Sequence, residues 1–493
     1  MRRTPLVPLA VLLALALSAC GARVDDELRQ RAAAGALGGA GSGGVGLTED
    51  GTLAEDGLTP AQDGTAVDAG GGAGASDAGA AAGSGGGGAA AGGGSGGGAA
   101  ARGGGAPAPP GGNGGATDIG VTENSITVGT VADLSGPVPG LFQGAVIGTQ
   151  AYFAKINAEG GVYGRQIKVQ VGDGQLDCGQ NKSQHAALQG KVFAFVGSFS
   201  LYDDCGQEAL NGKNVPDIHN ALGRKAGTAP NNFSIQPLPQ GWRTGPLLYW
   251  KKKFGDRFTK IGSIWANAGG AGATWVGTQA AIESVGGKVL YQRGFGPTDT
   301  DFTADIVQMR NRGVQMLYIS ASDAPTFARI AKAARQQNVD WPIVAGGIHY
   351  DEGFVKQAGS AAEGIWGDQQ FAMFFSPEDA ANIPAVKEFQ TWTARVAPGK
   401  KRDLFGVFGW ASAALFVEAL EKAGPQAKRE TLLAELRKIK SFDAGGIVAP
   451  ANPADKKPPT CYVLNQIKGG KYVRLETPPD AYRCDGSYFL TGK

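Results

Sequence analysis

From Asp118 onward the chain alternates short apolar runs with amphipathic stretches, and this alternation restricts the possible folds more than any other feature of the sequence. "ITVGTVADL" reads as a first strand. Val146, Thr149, Phe153 and Ile156 then recur at helical spacing in "GAVIGTQAYFAKINAEGG", where Gly160 and Gly161 stop the helix. "QIKVQVGD" predicts a second strand, Asn181 to Gln189 a helix, and "KVFAFVG" a third, fully buried strand. A helix around Gly206 to Leu210 and a strand "VPDIHN" follow. Strand, helix, strand repeated in this way calls for a parallel sheet with helices on both faces, hence an α/β fold.

The same grammar restarts after Pro230. A helix at Trp242 to Lys253 leads to the strand "KIGSIWA", the helix Thr274 to Val285, the strand "KVLYQ", the helix Thr303 to Arg312, the strand "QMLYIS" and the helix Ala324 to Gln337. Two successive α/β units imply two lobes, one over about 118–236 and one over about 237–364, each completed by part of 365–493. "WPIVAGG" continues the second lobe, while helices at Phe405 to Ala423 and Thr431 to Ile439 can return toward the first. "CYVLNQIKGGKYVRLE" reads as a hairpin turning at Gly469 and Gly470.

The chain before Asp118 has a different composition. Arg2 and Arg3, an apolar run from Leu6 to Leu17 and the close "LSAC" read as a secretion signal over residues 1–20, too short to span a bilayer comfortably. A small residue followed by Cys resembles the lipobox of bacterial lipoproteins, so Cys20 is the expected lipidated N-terminus; an incidental cysteine in an ordinary signal is the competing reading. A lipid there would anchor the protein to the outer face of the cell membrane. Residues 21–117 hold a large share of the chain's 81 glycines and too few large apolar side chains to offset the entropy of ordering. They read as a disordered tether with a typical end-to-end distance of about 50 Å. Gly93, Ser95 and Gly97 match a hydrolase pattern there by composition alone, since no strand precedes them and no helix follows.

The formal charge of +2, from 46 basic and 44 acidic residues, offers no field for nucleic acid. His185, His219 and His349 stand far apart without ligand spacing, which argues against a metal site, and nothing in the chain calls for a cofactor. With Cys20 lipidated, four cysteines remain in an oxidising compartment. They allow three connectivities, of which the one with both local bridges, Cys178 with Cys205 and Cys461 with Cys484, is favoured.

Ligands of open parallel sheets sit at the carboxyl ends of the strands, beside free helix N-termini. Ser198, Ser200 and Tyr202 in "FAFVGSFSLYDDCG" occupy such a loop, and their hydroxyls can hold a carboxylate or amide oxygen. The other readings are helix capping, or catalysis by one of these serines with His219 as base. Leu141 and Phe142 offer an apolar floor, and "IHNALG" brings His219, Asn220 and Ala221 to the same rim. The second lobe would supply Asn267, Asp323, His349 and Tyr350, with Asp323 either a counter-charge for a ligand ammonium or a helix cap; Asp299 and Asp301 read as caps.

"ITVGTVADLSGPV", "AYFAKINAEGGVYGRQIKV", "FGPTDTDFTADIVQMRNRGVQMLYIS" and "IAKAARQQNVDWPIVAGG" resemble, segment by segment, the leucine/isoleucine/valine-binding protein family, the type I periplasmic binding proteins of ABC importers. The resemblance is strong from about Ile126 to about Gly367. It implies two Rossmann-like lobes, three crossing segments as a hinge, closure around a small ligand, ABC permease subunits as partners, a monomer, and no catalysis. It also supports the Cys178–Cys205 pairing. Ser198 to Tyr202 and His219 to Ala221 match family contact loops. Departures lie at Leu141 and Phe142, where a tyrosine is usual, at Gly269 and Gly270, and at His349 and Tyr350, which precede Asp351 where an acidic residue is expected. The expected function is therefore an exported solute-binding lipoprotein for an amino acid, an amide or a small aromatic or apolar acid. The alternatives are a ligand-sensing receptor ectodomain and, less favoured, an exported hydrolase.

Overall fold

A computed structural model describes residues 107, 109–238, 240–475 and 482–491; the expected signal, Cys20 and nearly all of the expected tether lie outside these residues. The first sheet has the order β2-β1-β3-β4. In it β1 (Ser125–Ala132) and β2 (Gln166–Asp173) pair in parallel along their whole length, from Ser125 opposite Gln166 to Ala132 opposite Asp173. They are followed by α1 (Gln143–Ala158) and α2 (Cys178–Leu188). The predicted long third and fourth strands are short, β3 (Phe195–Val196) and β4 (Asp217–Ile218), with α3 (Asp203–Leu210) between them and α4 (Arg224–Thr228) after. Gly197 explains the early end of β3: at φ +69° it turns the chain, and a Cβ there would lie 1.9 Å from Thr149 Oγ1.

The second sheet has the order β12-β11-β10-β9-β8-β6-β7. The chain enters it through β5 (Gly241–Arg243) and α5 (Gly245–Phe254). It then runs through β6 (Ile261–Ala266), α6 (Gly269–Ser284), β7 (Val289–Phe295), α7 (Thr303–Asn311), β8 (Met316–Ile319), α8 (Ala324–Gln336), β9 (Ile343–Ala345), α9 (Glu352–Ala358) and β10 (Trp366–Gln369). The strands β6 to β10 pair in parallel. After β10 the chain returns to the first lobe as α10 (Pro377–Asn382), α11 (Pro384–Val396), α12 (Leu404–Ala423) and α13 (Arg429–Leu436). It comes back as the antiparallel hairpin β11 (Val463–Lys468) and β12 (Lys471–Leu475), and β13 (Tyr488–Leu490) pairs with β5.

Helix α12 is long and apolar enough to cross a bilayer, yet most of it is buried in the first lobe. It meets α1 through glycines, because a Cβ on Gly148 would lie 1.9 Å from Gly406 O and one on Gly409 2.0 Å from Ala145 O. Arg165, the last residue of the "GGVYGR" motif, is 1% exposed. Its guanidinium donates to the carbonyls of Thr122, Asn113 and Pro425 at 2.7 Å and Gly115 at 2.8 Å, so a charge that burial would penalise is satisfied by backbone. That pins the segment just before β1 to the α12–α13 loop.

Both local disulfides are formed, Cys178–Cys205 and Cys461–Cys484. Three segments join the lobes, near Gln236–Trp242, Gln369–Ala372 and Ala449–Tyr462. They meet at one carbonyl: Gln370 O accepts from Gln236 Nε2 at 2.6 Å and from Ala449 N at 2.7 Å. A joint with so few main-chain crossings lets two well-packed bodies swing with little loss of core contact.

Candidate functional site

The carboxyl ends of both parallel sheets and the crossing segments enclose a cavity of about 490 Å³. The loop after β1 contributes Pro137, Val138, Pro139, Leu141 and Phe142, and the loops after β3 and β4 contribute Leu201 and Leu222. Phe405 and Phe408 arrive from α12, where their spacing of three residues places them on one face. Phe142 packs 4.7 Å from both Phe199 and Phe405, between ring centroids, so the first-lobe wall is a continuous aromatic surface. Across the gap stand Trp242, Ala271, Phe295, Ser320, Asp323, Thr326, Arg329 and Ile348.

Of the eleven residues expected at the ligand, Phe142, Asn220 and Asp323 line this cavity. The serines lie just behind it. Ser198 Oγ accepts from Val131 N at 3.0 Å, and Ser200 Oγ donates to Asp133 Oδ1 at 3.1 Å while accepting from Tyr202 N at 3.0 Å. Burial pushes the Asp133 carboxyl up to about 6, against the opposing pull of Ser200 and the Leu201 amide. These bonds set the backbone of the loop, and Leu201 between them faces the cavity, while Tyr202 does not line it.

His219 is likewise part of the scaffold. Its Nδ1 lies 2.8 Å from Asp217 Oδ1 and its Nε2 3.6 Å from Asp203 Oδ2, and it reaches neither serine. Asp203 in turn accepts from Leu222 N at 2.6 Å and Gly223 N at 2.9 Å, which fixes the loop carrying Asn220 and Leu222; Ala221 is buried and does not line the cavity. Burial alone would lower the imidazole's affinity for protons, but the two carboxylates outweigh it and push the value up to about 10. The folded protein thus keeps a proton that the unfolded chain releases above about 6.5. The stabilisation is complete below that value and is lost as the pH rises toward 10. His219→Gln is therefore expected to cost about 3 kcal/mol at pH 6.5, by leaving the buried carboxylates uncompensated, and the gap to the unmodified protein should narrow steadily toward pH 9.5 in paired thermal melts. A gap that does not change with pH would show that the imidazole is neutral.

In the second lobe Asp323 caps α8, its Oδ1 accepting from Thr326 N at 2.8 Å. Neither Asp299 nor Asp301 is the N-cap of α7, which is Phe302: Asp301, one residue earlier, accepts from Thr303 N at 2.8 Å, and Asp299 accepts from Gly296 N and pairs with Arg293. Asn267 lies outside the cavity. His349 is buried, with Nε2 2.7 Å from Asn465 Oδ1, and burial lowers its value to about 4. Tyr350 accepts from Phe375 N at 3.0 Å within a cluster of Phe371, Phe374, Phe375 and Tyr472. These two support the crossing segments and do not face the cavity. The wall residues that sequence reasoning does not single out are mainly Phe199 and Leu201, which lie inside the Ser198 to Tyr202 loop it does name, and Leu222, Phe405, Phe408, Trp242 and Arg329. Leu201 and Leu222 sit beside named positions and are within range of the same argument; Phe405 and Phe408 carry no local signal.

Residues 125–471 match the family model described as periplasmic binding protein. No curated protein sequence matches the chain. Among solved structures, a fatty acid ABC transporter substrate-binding protein from Thermomonospora curvata aligns with a TM-score of 0.62 and 23% identity, over 75% of this chain and 95% of that one. The leucine-binding protein LivK from Thermotoga maritima gives 0.59 and 18%, over 71% and 97%. LivJ, a branched-chain amino acid transporter substrate-binding protein from Streptococcus pneumoniae solved with isoleucine, gives 0.57 and 20%, over 71% and 100%. At these identities the likeness concerns the type I periplasmic binding protein fold.

Proposed function

Because this chain belongs to the periplasmic binding protein family, we propose that it is an exported, lipid-anchored, monomeric solute-binding protein of an ABC importer. It captures an amino acid, an amide or a small aromatic or apolar acid by closing two lobes, and presents the closed form to permease subunits. One observation carries this reading: the cavity lies between two separately packed lobes and is walled by both and by their crossing segments. A ligand there touches both bodies at once, so its binding energy favours the closed arrangement over the open one. The substrate-binding proteins of ABC transporters that share this fold support the transport role.

The test is a thermal-shift panel of amino acids, amides and acids on the full chain, unfolded and refolded with disulfides intact to strip any carried ligand. A true ligand at about 100 times its Kd should add about 2.7 kcal/mol to stability. Thr274→Trp, which fills the cavity from α6, should abolish that shift and leave the ligand-free melting temperature nearly unchanged. A panel in which no class of solute shifts the melt would sink the reading.

A further inference from the structure

The cavity wall is mostly apolar, yet among the described residues three that line it carry a polar atom buried without a hydrogen-bond partner, Trp242 Nε1, Ser320 Oγ and Arg329 Nε, all of them able to donate. Ser320 follows β8 and is 4% exposed. Arg329 sits on α8, and its Nη2 donates to Thr326 Oγ1 at 2.7 Å, which draws the guanidinium back toward the helix N-terminus. A guanidinium can only donate, and a serine hydroxyl can donate as readily as accept. Of the other charged groups of the wall, Arg243 is engaged and Asp323 is engaged through one of its two oxygens. Arg243 is held by Asp368 at 2.7 Å, and Asp323 Oδ1 accepts from the α8 backbone. Among the described residues, no buried carboxylate or amide oxygen lining the cavity lacks a partner. The wall therefore has donors to spare, and against them a single unengaged carboxylate oxygen, Asp323 Oδ2, which alone is not the converging set of acceptors that an ammonium needs.

Resting on the solute-binding reading above, we propose that the cavity takes an apolar carboxylic acid without an ammonium group. Its carboxylate accepts from Arg329 and Ser320 on the second lobe, and its hydrocarbon or aromatic body lies against Phe142, Phe199, Leu201 and Phe405 of the first. A carboxylate moved out of water needs charge-assisted hydrogen bonds to offset its desolvation, and Arg329 supplies both charge and donors. The body needs only area. Each methylene added to the acid should tighten binding about fourfold until the cavity is filled.

The experiment titrates the stripped, refolded full chain with hexanoate, octanoate, decanoate and 3-phenylpropanoate, and with octanamide, octylamine, leucine and phenylalanine, by calorimetry. The carboxylates are expected to bind, tightening with length, and the amine not at all. Arg329→Gln should weaken octanoate at least tenfold, and Ser320→Ala by a smaller factor, with ligand-free melting temperatures close to that of the unmodified protein. Arg329→Lys should recover part of the affinity. If leucine, phenylalanine or octanamide binds while octanoate does not, or if octanoate binds Arg329→Gln and Ser320→Ala unchanged, the acid proposal is overturned and solute binding stands. If no compound of any class binds, both fall.

Discussion

Asp368→Asn is expected to destabilise the protein by about 3 to 5 kcal/mol, because it strips the counter-charge from a buried guanidinium. Asp368 is fully buried on β10 and accepts from Arg243 Nη2 at 2.7 Å and Nε at 3.2 Å, from Trp250 Nε1 at 3.3 Å and from Tyr318 OH at 3.4 Å. Arg243, 2% exposed, stacks over Trp242 with its guanidinium carbon 4.4 Å from the ring centroid. Once the carboxylate is neutral, the desolvation of that guanidinium is no longer offset, and this is the cost that the measurement reads. The effect should be non-additive: Arg243→Met with Asp368→Leu removes both charges and should recover most of the lost stability. Denaturant melts of the two singles and the double would settle it, and an Asp368→Asn protein within about 1 kcal/mol of the unmodified one would refute it. The pair also bears on closure. Arg243 enters the second lobe just after the first crossing and Asp368 leaves it just before the second, so the pair holds two of the three crossing segments at one end of the joint.

The second large effect concerns Cys178–Cys205. The bridge spans a sequence separation of 27 residues, and constraining a loop of that size in the unfolded chain contributes roughly 3 to 4 kcal/mol. Replacing both cysteines by alanine should lower stability by about that amount, and should weaken ligand binding as well. The reason for the second consequence is local. Leu176, two residues before Cys178, and Leu201, four before Cys205, both line the cavity, so the bridge ties together two loops of its wall. Paired urea melts and a binding isotherm on the double variant test the two effects separately. Unchanged stability would mean that the reduced chain keeps these loops together without the bond.

The first two strands are legible, β2 to the residue and β1 within two at either end, because they pair along their full length and each strand's apolar pattern matches what it packs against. Helices α5, α7 and α8 of the second lobe are legible within a few residues for the same reason, α6 is read five residues short at its start, and the short α9 is not read at all. Helix α11 escapes a sequence reading although Val386, Phe389 and Thr393 recur at helical spacing, since Pro384 and the preceding polar run disguise its start. The short β3 and β4 look longer in sequence than they are: "KVFAFVG" is mostly apolar because it is buried on all sides, and burial alone says nothing about how far a ladder extends.

The site divides along the same line. Strand alternation and the rule that ligands gather at carboxyl ends are enough to name the loops, and with them Phe142, Asn220 and Asp323. Which side chain of each loop turns inward is decided by tertiary hydrogen bonds: Asp133 holding Ser200, Asp217 and Asp203 holding His219, Asn465 holding His349. The polar residues that look like ligand contacts are engaged with one another, and the apolar residues between them form the wall. Sequence by itself determined a two-lobed α/β protein with its cleft at the strand ends, because periodic burial is a local property written into every few residues. Only the tertiary structure decided the character of that cleft, because Phe405 and Phe408 reach it from more than 260 residues beyond Phe142, and chain crossings of that length leave no periodic trace.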